Sequence, residues 1–136
     1  MRIEASGQLR VVLVVEDDDP IAELLTEAIN EEPGYVAMRV ARGTDALQAL
    51  KAVNADLVLM DIGLPGMSGL EVLDKMRGDA RLRKVPVVFE TAVMPEHAKG
   101  MRARGIAAYV KKPFDLNDIV AYVKKLAPLR PSTRSV

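Results

Sequence analysis

Residues 56–69 read DLVLMDIGLPGMSG, and this stretch decides how the chain folds. Its first part, residues 56–61, is a short aliphatic run of the kind found in strands that are buried on both faces. The glycines and the proline of residues 63–69 predict a loop, and the apolar residues after it recur at helical spacing. The stretch therefore predicts a buried strand that ends in an acid, then a loop, then a helix.

The same alternation of buried strand and amphipathic helix extends in both directions along the chain. Further strands are predicted at residues 10–15, 35–41, 85–89 and 107–110. Further helices are predicted from about Pro20, from Gly43, over residues 95–104 and after Asp115 as N-cap. Five strands that alternate with five helices predict an α/β fold, in which helices cover both faces of a parallel sheet.

The composition is that of one ordinary globular domain. The 136 residues include 19 basic and 19 acidic ones, so the net charge gives no reason to expect binding to nucleic acid or to a membrane. The chain has no cysteine, which excludes disulfides, zinc–thiolate sites and cysteine nucleophiles. It has neither a signal peptide nor a run of about 20 apolar residues, so the cytoplasm is the expected location.

We expect three segments along the chain. Residues 1–9 form a flexible leader, residues 10–127 form the domain, and residues 128–136 form a disordered tail rich in proline, serine and arginine. The tail is too short to be an output domain, although it would also suit the start of a linker in a longer protein.

Polar side chains stand at the carboxyl ends of four predicted strands. They are Glu16 and Asp17, Asp61, Thr91, and Lys112. In an open α/β sheet, ligands bind beyond the carboxyl ends of the strands. Three carboxylates, one hydroxyl and one ammonium group are therefore expected to converge at one edge of the sheet.

This set of groups suits the binding of a phosphoryl group. Several carboxylates close together are costly to ionise. A hard cation such as Mg²⁺, which prefers oxygen ligands, would offset that cost, and so would the ammonium group of Lys112. An aspartate can then attack phosphorus and form an acyl phosphate, while Lys112 and Thr91 hold phosphate oxygens.

Four motifs are similar to those of the receiver domains of bacterial two-component response regulators. They are VVEDD at 14–18, LMDIGLPGMSG at 59–69, TA at 91–92 and YVKKPF at 109–114. Each motif is weak alone, but their order and their positions at strand ends make the resemblance specific over about residues 10–127. The resemblance is to the chemotaxis-regulator type, and it implies a flavodoxin-like (βα)5 fold with a doubly wound parallel sheet of strand order 2-1-3-4-5.

The resemblance implies a role for each strand-end residue. Asp61 would accept the phosphoryl group from a histidine kinase or a phosphotransfer protein. Lys112 would pair with the acyl phosphate, and Thr91 would bond one of its oxygens. The cofactor would be Mg²⁺, and its ligands would be Glu16 (through water), Asp17, Asp61 and the backbone carbonyl of Gly63.

The resemblance also implies a switch and a docking surface. Thr91 and Tyr109 would form the switch, and a downstream protein would bind the face made by the fourth helix, the fifth strand and the fifth helix. Residues 105–108 lack the acids through which transcription factors of the family often dimerise there. We therefore expect a stand-alone signalling protein that catalyses only its own phosphorylation and dephosphorylation.

Four residues depart from the expected pattern or stand outside it. Gly63 and Val93 offer no polar side chain near the water that would attack the phosphoryl group, so we expect steric access and backbone to set its lifetime. Glu90 is an acid where the strand should be apolar, and it should point outward toward the fourth helix or find a basic partner. His97, the single histidine, is expected to be exposed on the fourth helix.

Two other kinds of function remain open. A pseudo-receiver would keep the fold as a constitutive binding module without phosphorylation, and magnesium binding would distinguish the two. An aspartyl-phosphate phosphohydrolase would place its nucleophile motif after the first strand, whereas Asp61 follows the third. A dinucleotide-binding fold lacks support, because no Gly-x-Gly-x-x-Gly motif follows the first strand.

Overall fold

The structure, a computed structural model, describes residues 9–92 and 95–131. Its strands are β1 (Arg10–Val15), β2 (Tyr35–Val40), β3 (Leu57–Asp61), β4 (Val87–Thr91) and β5 (Tyr109–Lys111). Its helices are α1 (Asp19–Asn30), α2 (Gly43–Ala52), α3 (Gly69–Arg77), α4 (Pro95–Ala103) and α5 (Leu116–Leu126). The predicted alternation is confirmed, with strand boundaries displaced by up to two residues.

The described strands form one parallel sheet in the order β2–β1–β3–β4–β5. This is the flavodoxin-like order 2-1-3-4-5, so the predicted fold class is confirmed. The order reverses between β1 and β3, and a crevice at such a switch point is where open α/β sheets bind ligands.

Each face of the sheet has its own apolar core, because successive side chains of a strand point to opposite faces. One core, which we call the α2–α4 side, includes Leu13, Val15, Met60, Phe89, Leu50, Met76 and Met101. The other, the α1–α5 side, includes Val12, Val14, Leu59, Val88, Val110, Leu25 and Ile119. Burial on both faces explains why the central strands β1, β3 and β4 read as largely aliphatic runs.

Side-chain caps begin three of the helices. Asp18 accepts a hydrogen bond from the backbone N–H of Ile21 at the start of α1, and Asp115 caps α5 in the same way. Ser68 and Glu71 form a reciprocal capping box at the start of α3. These caps fix the points where the loops after β1, β3 and β5 turn into helix.

Contacts near the carboxyl end of α4 join this helix to α3. Arg104 donates from Nε and Nη2 to the two carboxylate oxygens of Asp74, at 2.8 Å each, and Arg77 donates to the carbonyl of Arg104 at 2.8 Å. A Cβ atom on Gly100 would lie 2.7 Å from Cδ1 of Leu70. The missing side chain therefore lets the two helices approach closely.

The two ends of the chain are only partly described. Residues 1–8 of the predicted leader and residues 132–136 of the predicted tail lie outside the described residues. The start of the tail contacts the domain, since the Pro128 carbonyl accepts a hydrogen bond from Arg10 at 2.7 Å and Leu129 lies over Gly34. None of the described helices is both long and apolar enough to span a membrane.

Candidate functional site

The alternation of side chains along the strands brings four ionisable groups to one face of the sheet. These are Glu16, Asp61, Glu90 and Lys112. In each strand the residue two positions earlier belongs to the core on the α1–α5 side: Val14, Leu59, Val88 and Val110. The register places Asp61 beside Glu90. The groups therefore extend that face beyond its core, at the carboxyl edge of the sheet.

Three carboxylates at this edge are close enough to share one cation. Carboxylate oxygens of Glu16, Asp17 and Asp61 lie within 4.8 Å of one another. Glu16 is fully buried, Asp61 is 7% exposed and Asp17 is exposed. Oε1 of Glu16 has no hydrogen-bond partner among the described residues. A buried oxygen without such a partner, beside two further carboxylates, is what a hard divalent cation would stabilise, so the residues fit Mg²⁺.

The ammonium group of Lys112 lies among the carboxylates. Its Nζ atom is 3.2 Å from Oδ2 of Asp61, 3.5 Å from Oε1 of Glu16 and 3.8 Å from Oε1 of Glu90. Burial alone would lower the pKa of Lys112, but the charges of Asp61 and Glu16 outweigh it and the pKa is raised. Lys112 is therefore cationic at neutral pH. The peptide bond between Lys112 and Pro113 is cis.

Glu90 belongs to this pocket, and the prediction that it points outward toward the fourth helix is wrong. Residue 90 lies on the α1–α5 side of β4, whereas α4 packs on the opposite side, and Glu90 is completely buried. Its basic partner, the alternative expectation, is Lys112. Burial and the neighbouring carboxylate of Glu16 raise the pKa of Glu90 to about 9. Glu90 is therefore neutral at pH 7.

The loop after β3 is built tightly around Asp61. The backbone N–H of Gly63 donates to Oδ1 of Asp61 at 3.0 Å, which orients the carboxylate. A Cβ atom on Gly69 would lie 2.5 Å from the backbone oxygen of Asp61, so only glycine fits where α3 begins. The carboxylate thus has one oxygen held by the loop and the other close to Lys112.

Arg39 supports the site, and the sequence analysis did not identify it. Its guanidinium donates twice to the backbone carbonyl of Glu16, at 3.0 and 2.8 Å, and once to Asp19 at 2.8 Å. These bonds fix the turn that carries Glu16 and Asp17. Arg39 is the single charged residue of β2, and that was the signal available in the sequence.

Thr91 and Tyr109 lie on the other side of the sheet, next to α4. Thr91 follows Glu90 and is buried, whereas Tyr109 is 37% exposed. Both line a cavity of about 290 Å³ whose remaining wall includes His97, Met101 and Ile106. The prediction of an exposed His97 is wrong: the side chain is half-buried, and its Nδ1 atom is buried.

Comparisons with known proteins point to one family. The family described as "Response regulator receiver domain" matches residues 12–124. The polar-differentiation response regulator DivK of Brucella ovis is 36% identical over 114 residues, which cover 83% of this chain and 92% of DivK.

Two solved structures illustrate the similarity of fold. A putative response regulator from Chloroflexus aurantiacus superposes with a TM-score of 0.80 at 27% identity, over 88% of this chain and 98% of the other. The signal receiver domain of a signal transduction histidine kinase from Syntrophus aciditrophicus superposes with a TM-score of 0.82 at 26% identity, over 93% of this chain and 98% of the other.

Proposed function

This chain belongs to the response regulator receiver domain family, and from that premise we propose that it carries a signal as a phosphoryl group on Asp61. The group would come from a histidine kinase or a phosphotransfer protein in the cytoplasm. The observation that carries the proposal is the position of the Asp61 carboxylate, 3.2 Å from the Lys112 ammonium and beside Glu16 and Asp17. The protein would catalyse only the gain and loss of its own phosphoryl group.

In the proposed transfer, a carboxylate oxygen of Asp61 attacks the phosphorus atom carried by the donor histidine. The bond from phosphorus to the donor nitrogen breaks, and its electron pair remains on the imidazole. Lys112 pairs with an oxygen of the transferred group, and the Thr91 hydroxyl bonds another. Positioning and charge neutralisation supply most of the catalysis of such a reaction.

The carboxylates of Glu16, Asp17 and Asp61, with the Gly63 carbonyl, would hold Mg²⁺. When bound, Mg²⁺ would neutralise charge on the phosphoryl oxygens. Glu16 is held by Arg39 at its carbonyl and by the Asp18 N–H at Oε2, 3.1 Å away, so it would contribute as a fixed group.

The switch would act through the cavity between α4 and β5. Both Tyr109, which is partly exposed, and Thr91, which is buried, line this cavity. If the Thr91 hydroxyl moves toward the phosphoryl group, the ring of Tyr109 gains room to turn inward. The face of α4, β5 and α5 would then present a different surface to a downstream protein, since a few kcal/mol suffice to shift a two-state equilibrium.

Intact mass after incubation with acetyl phosphate and Mg²⁺ tests the proposal. We expect the wild-type protein to gain the mass of one phosphoryl group, and we expect Asp61→Asn to gain none, because the amide is not a nucleophile. Chelation of Mg²⁺ should suppress the gain in the wild type.

Asp56→Asn is the matched control, because Asp56 precedes the same strand at its opposite end and should leave the gain intact. No gain in the wild type would favour a constitutive binding module instead. A gain that persists in Asp61→Asn would place the phosphoryl group elsewhere.

A further inference from the structure

His97 lies close to Gly63 and to the proposed phosphorylation site at Asp61. A Cβ atom built on Gly63 would lie 3.8 Å from Oδ1 of Asp61 and 3.9 Å from Cε1 of His97. The space above Gly63 is thus bordered by both the carboxylate of Asp61 and the imidazole of His97. A larger residue at position 63 would fill this space with its own side chain, and here the ring borders it instead.

The imidazole presents polar atoms at this position. Cε1 is bonded to both ring nitrogens, so the edge that approaches Gly63 carries both of them. Nδ1 is buried, and it has no hydrogen-bond partner among the described residues. Burial of a polar nitrogen without a partner is unfavourable, so a hydrogen-bonding group placed beside the ring would be stabilised.

We propose that His97 contacts the phosphoryl group on Asp61, donates a hydrogen bond to one of its oxygens and slows its hydrolysis. This inference rests on the proposed function. An imidazole has an N–H donor whether it is neutral or cationic, so the contact does not depend on the protonation state of the ring. The lifetime of the phosphoryl group, which the sequence predicted to depend on backbone and steric access, would thus depend in part on a side chain of α4.

Hydrolysis returns the protein to its resting state in one balanced step. A water oxygen attacks phosphorus, the bond from phosphorus to the Asp61 oxygen breaks, and its electron pair returns to the carboxylate. The proton lost by the water leaves with phosphate or solvent. A ring that covers the space above Gly63 restricts the approach of water, and its hydrogen bond stabilises the charged group before the reaction.

The imidazole itself supplies the first test, because His97 is the single histidine of the chain. Its ring signals can therefore be assigned without ambiguity in ¹H–¹⁵N spectra. Beryllofluoride with Mg²⁺ serves as the probe of the phosphorylated state. We expect the ring N–H signal of the wild type to shift and to exchange more slowly with water on addition of the probe, and we expect no such change in Asp61→Asn.

The second test measures the loss of the phosphoryl group from purified phosphoprotein by intact mass. His97→Ala should lose it about tenfold faster, the effect of one hydrogen bond to a charged group. His97→Gln, which retains an N–H donor, should restore part of the lifetime. Lys99→Ala, on the exposed side of the same helix, should match the wild type.

The outcomes separate this inference from the proposed function. Absence of phosphorylation in the wild type would overturn both. Normal phosphorylation with unchanged ring signals, or with an unchanged rate in His97→Ala, would overturn the inference alone. A slower loss in His97→Ala would also overturn it, because the ring would then assist the attacking water.

Discussion

The two ends of the central strands carry clusters of charge that are balanced in different ways. At the amino end, Asp56 bonds to Nη1 of Arg10 at 2.9 Å and to the Val11 N–H at 2.8 Å, and Arg130 lies 3.4 Å away. At the carboxyl end, the Lys112 ammonium is the one cation within salt-bridge distance of Glu16, Asp61 and Glu90 among the described residues.

This difference separates a structural cluster from a candidate functional one. The amino end has more cationic groups than anionic ones, and each oxygen of Asp56 accepts a hydrogen bond within the chain. The carboxyl end keeps carboxylates in excess and leaves buried oxygens without hydrogen-bond partners among the described residues. Buried oxygens of this kind lower stability, a cost that is common where a site must bind a charged ligand.

Among substitutions at the two ends, removal of the ionisable group of Glu90 should have the largest effect on the free energy of unfolding. In the unfolded chain this carboxyl ionises near 4.5, whereas the folded protein keeps its proton until about pH 9. Unfolding therefore releases a proton between these values, and the free energy of unfolding falls as pH rises. Glu90→Gln should be more stable at pH 7, by about 3 kcal/mol at most, since each pH unit contributes about 1.4 kcal/mol.

Urea unfolding of the magnesium-free protein between pH 4 and pH 9 measures this effect. The wild type and Glu90→Gln should have similar free energies of unfolding near pH 4, and the advantage of Glu90→Gln should grow as pH rises. A difference that stays constant over the whole range would show that Glu90 ionises normally.

Removal of the Lys112 ammonium group should increase the excess of negative charge at the carboxyl end. Lys112→Met leaves Glu16 and Asp61 without their ammonium partner, and we expect a loss of about 2 kcal/mol in the magnesium-free protein. Lys111→Met is the control, because Lys111 is exposed, and it should change stability by less than about 0.5 kcal/mol. Equal urea midpoints for the two variants would mean that Lys112 does not stabilise the cluster.

The smallest effect is expected at the amino end. Asp56→Asn keeps the shape of the side chain but weakens its bonds to Arg10 and to the Val11 N–H, which should cost about 1 kcal/mol of stability. Phosphorylation of Asp61 by acetyl phosphate should be unchanged. If the substitution instead reduced the mass gain in the folded protein, the two ends would be coupled and the comparison would fail.

The fold could be predicted almost completely from the sequence, because its central strands β1, β3 and β4 are buried on both faces and have a distinct apolar signature. Convergence of Glu16, Asp61 and Lys112 followed from the rule that parallel strands share a carboxyl edge. The position of Glu90 was predicted wrongly because only the presence of an acid in an apolar strand was considered, and not the alternation of side chains along that strand. Counting in twos from Val88, which is a core residue of the α1–α5 side, would have placed it beside Asp61.

The remaining parts of the site depend on relations that a single sequence does not display. His97 reaches Gly63 only through the rotation and packing of α4 against α3, which the weak apolar pattern of residues 95–104 does not specify. Arg39 acts on the backbone of Glu16 across two strands, and its role depends on the register of β1 with β2. Both contacts are tertiary, and neither leaves a local motif.

The attachment of α4 to α3 has a consequence for how the molecule moves. The bonds of Arg104 and the close packing at Gly100 fasten one end of the helix, while His97 stands near the other end, above Gly63. A force on the amino end would therefore rotate the helix as a rigid body about its fixed carboxyl end. Displacement would grow along the helix toward Asp61, the proposed phosphorylation site, and the exposed face of α4 would tilt with it.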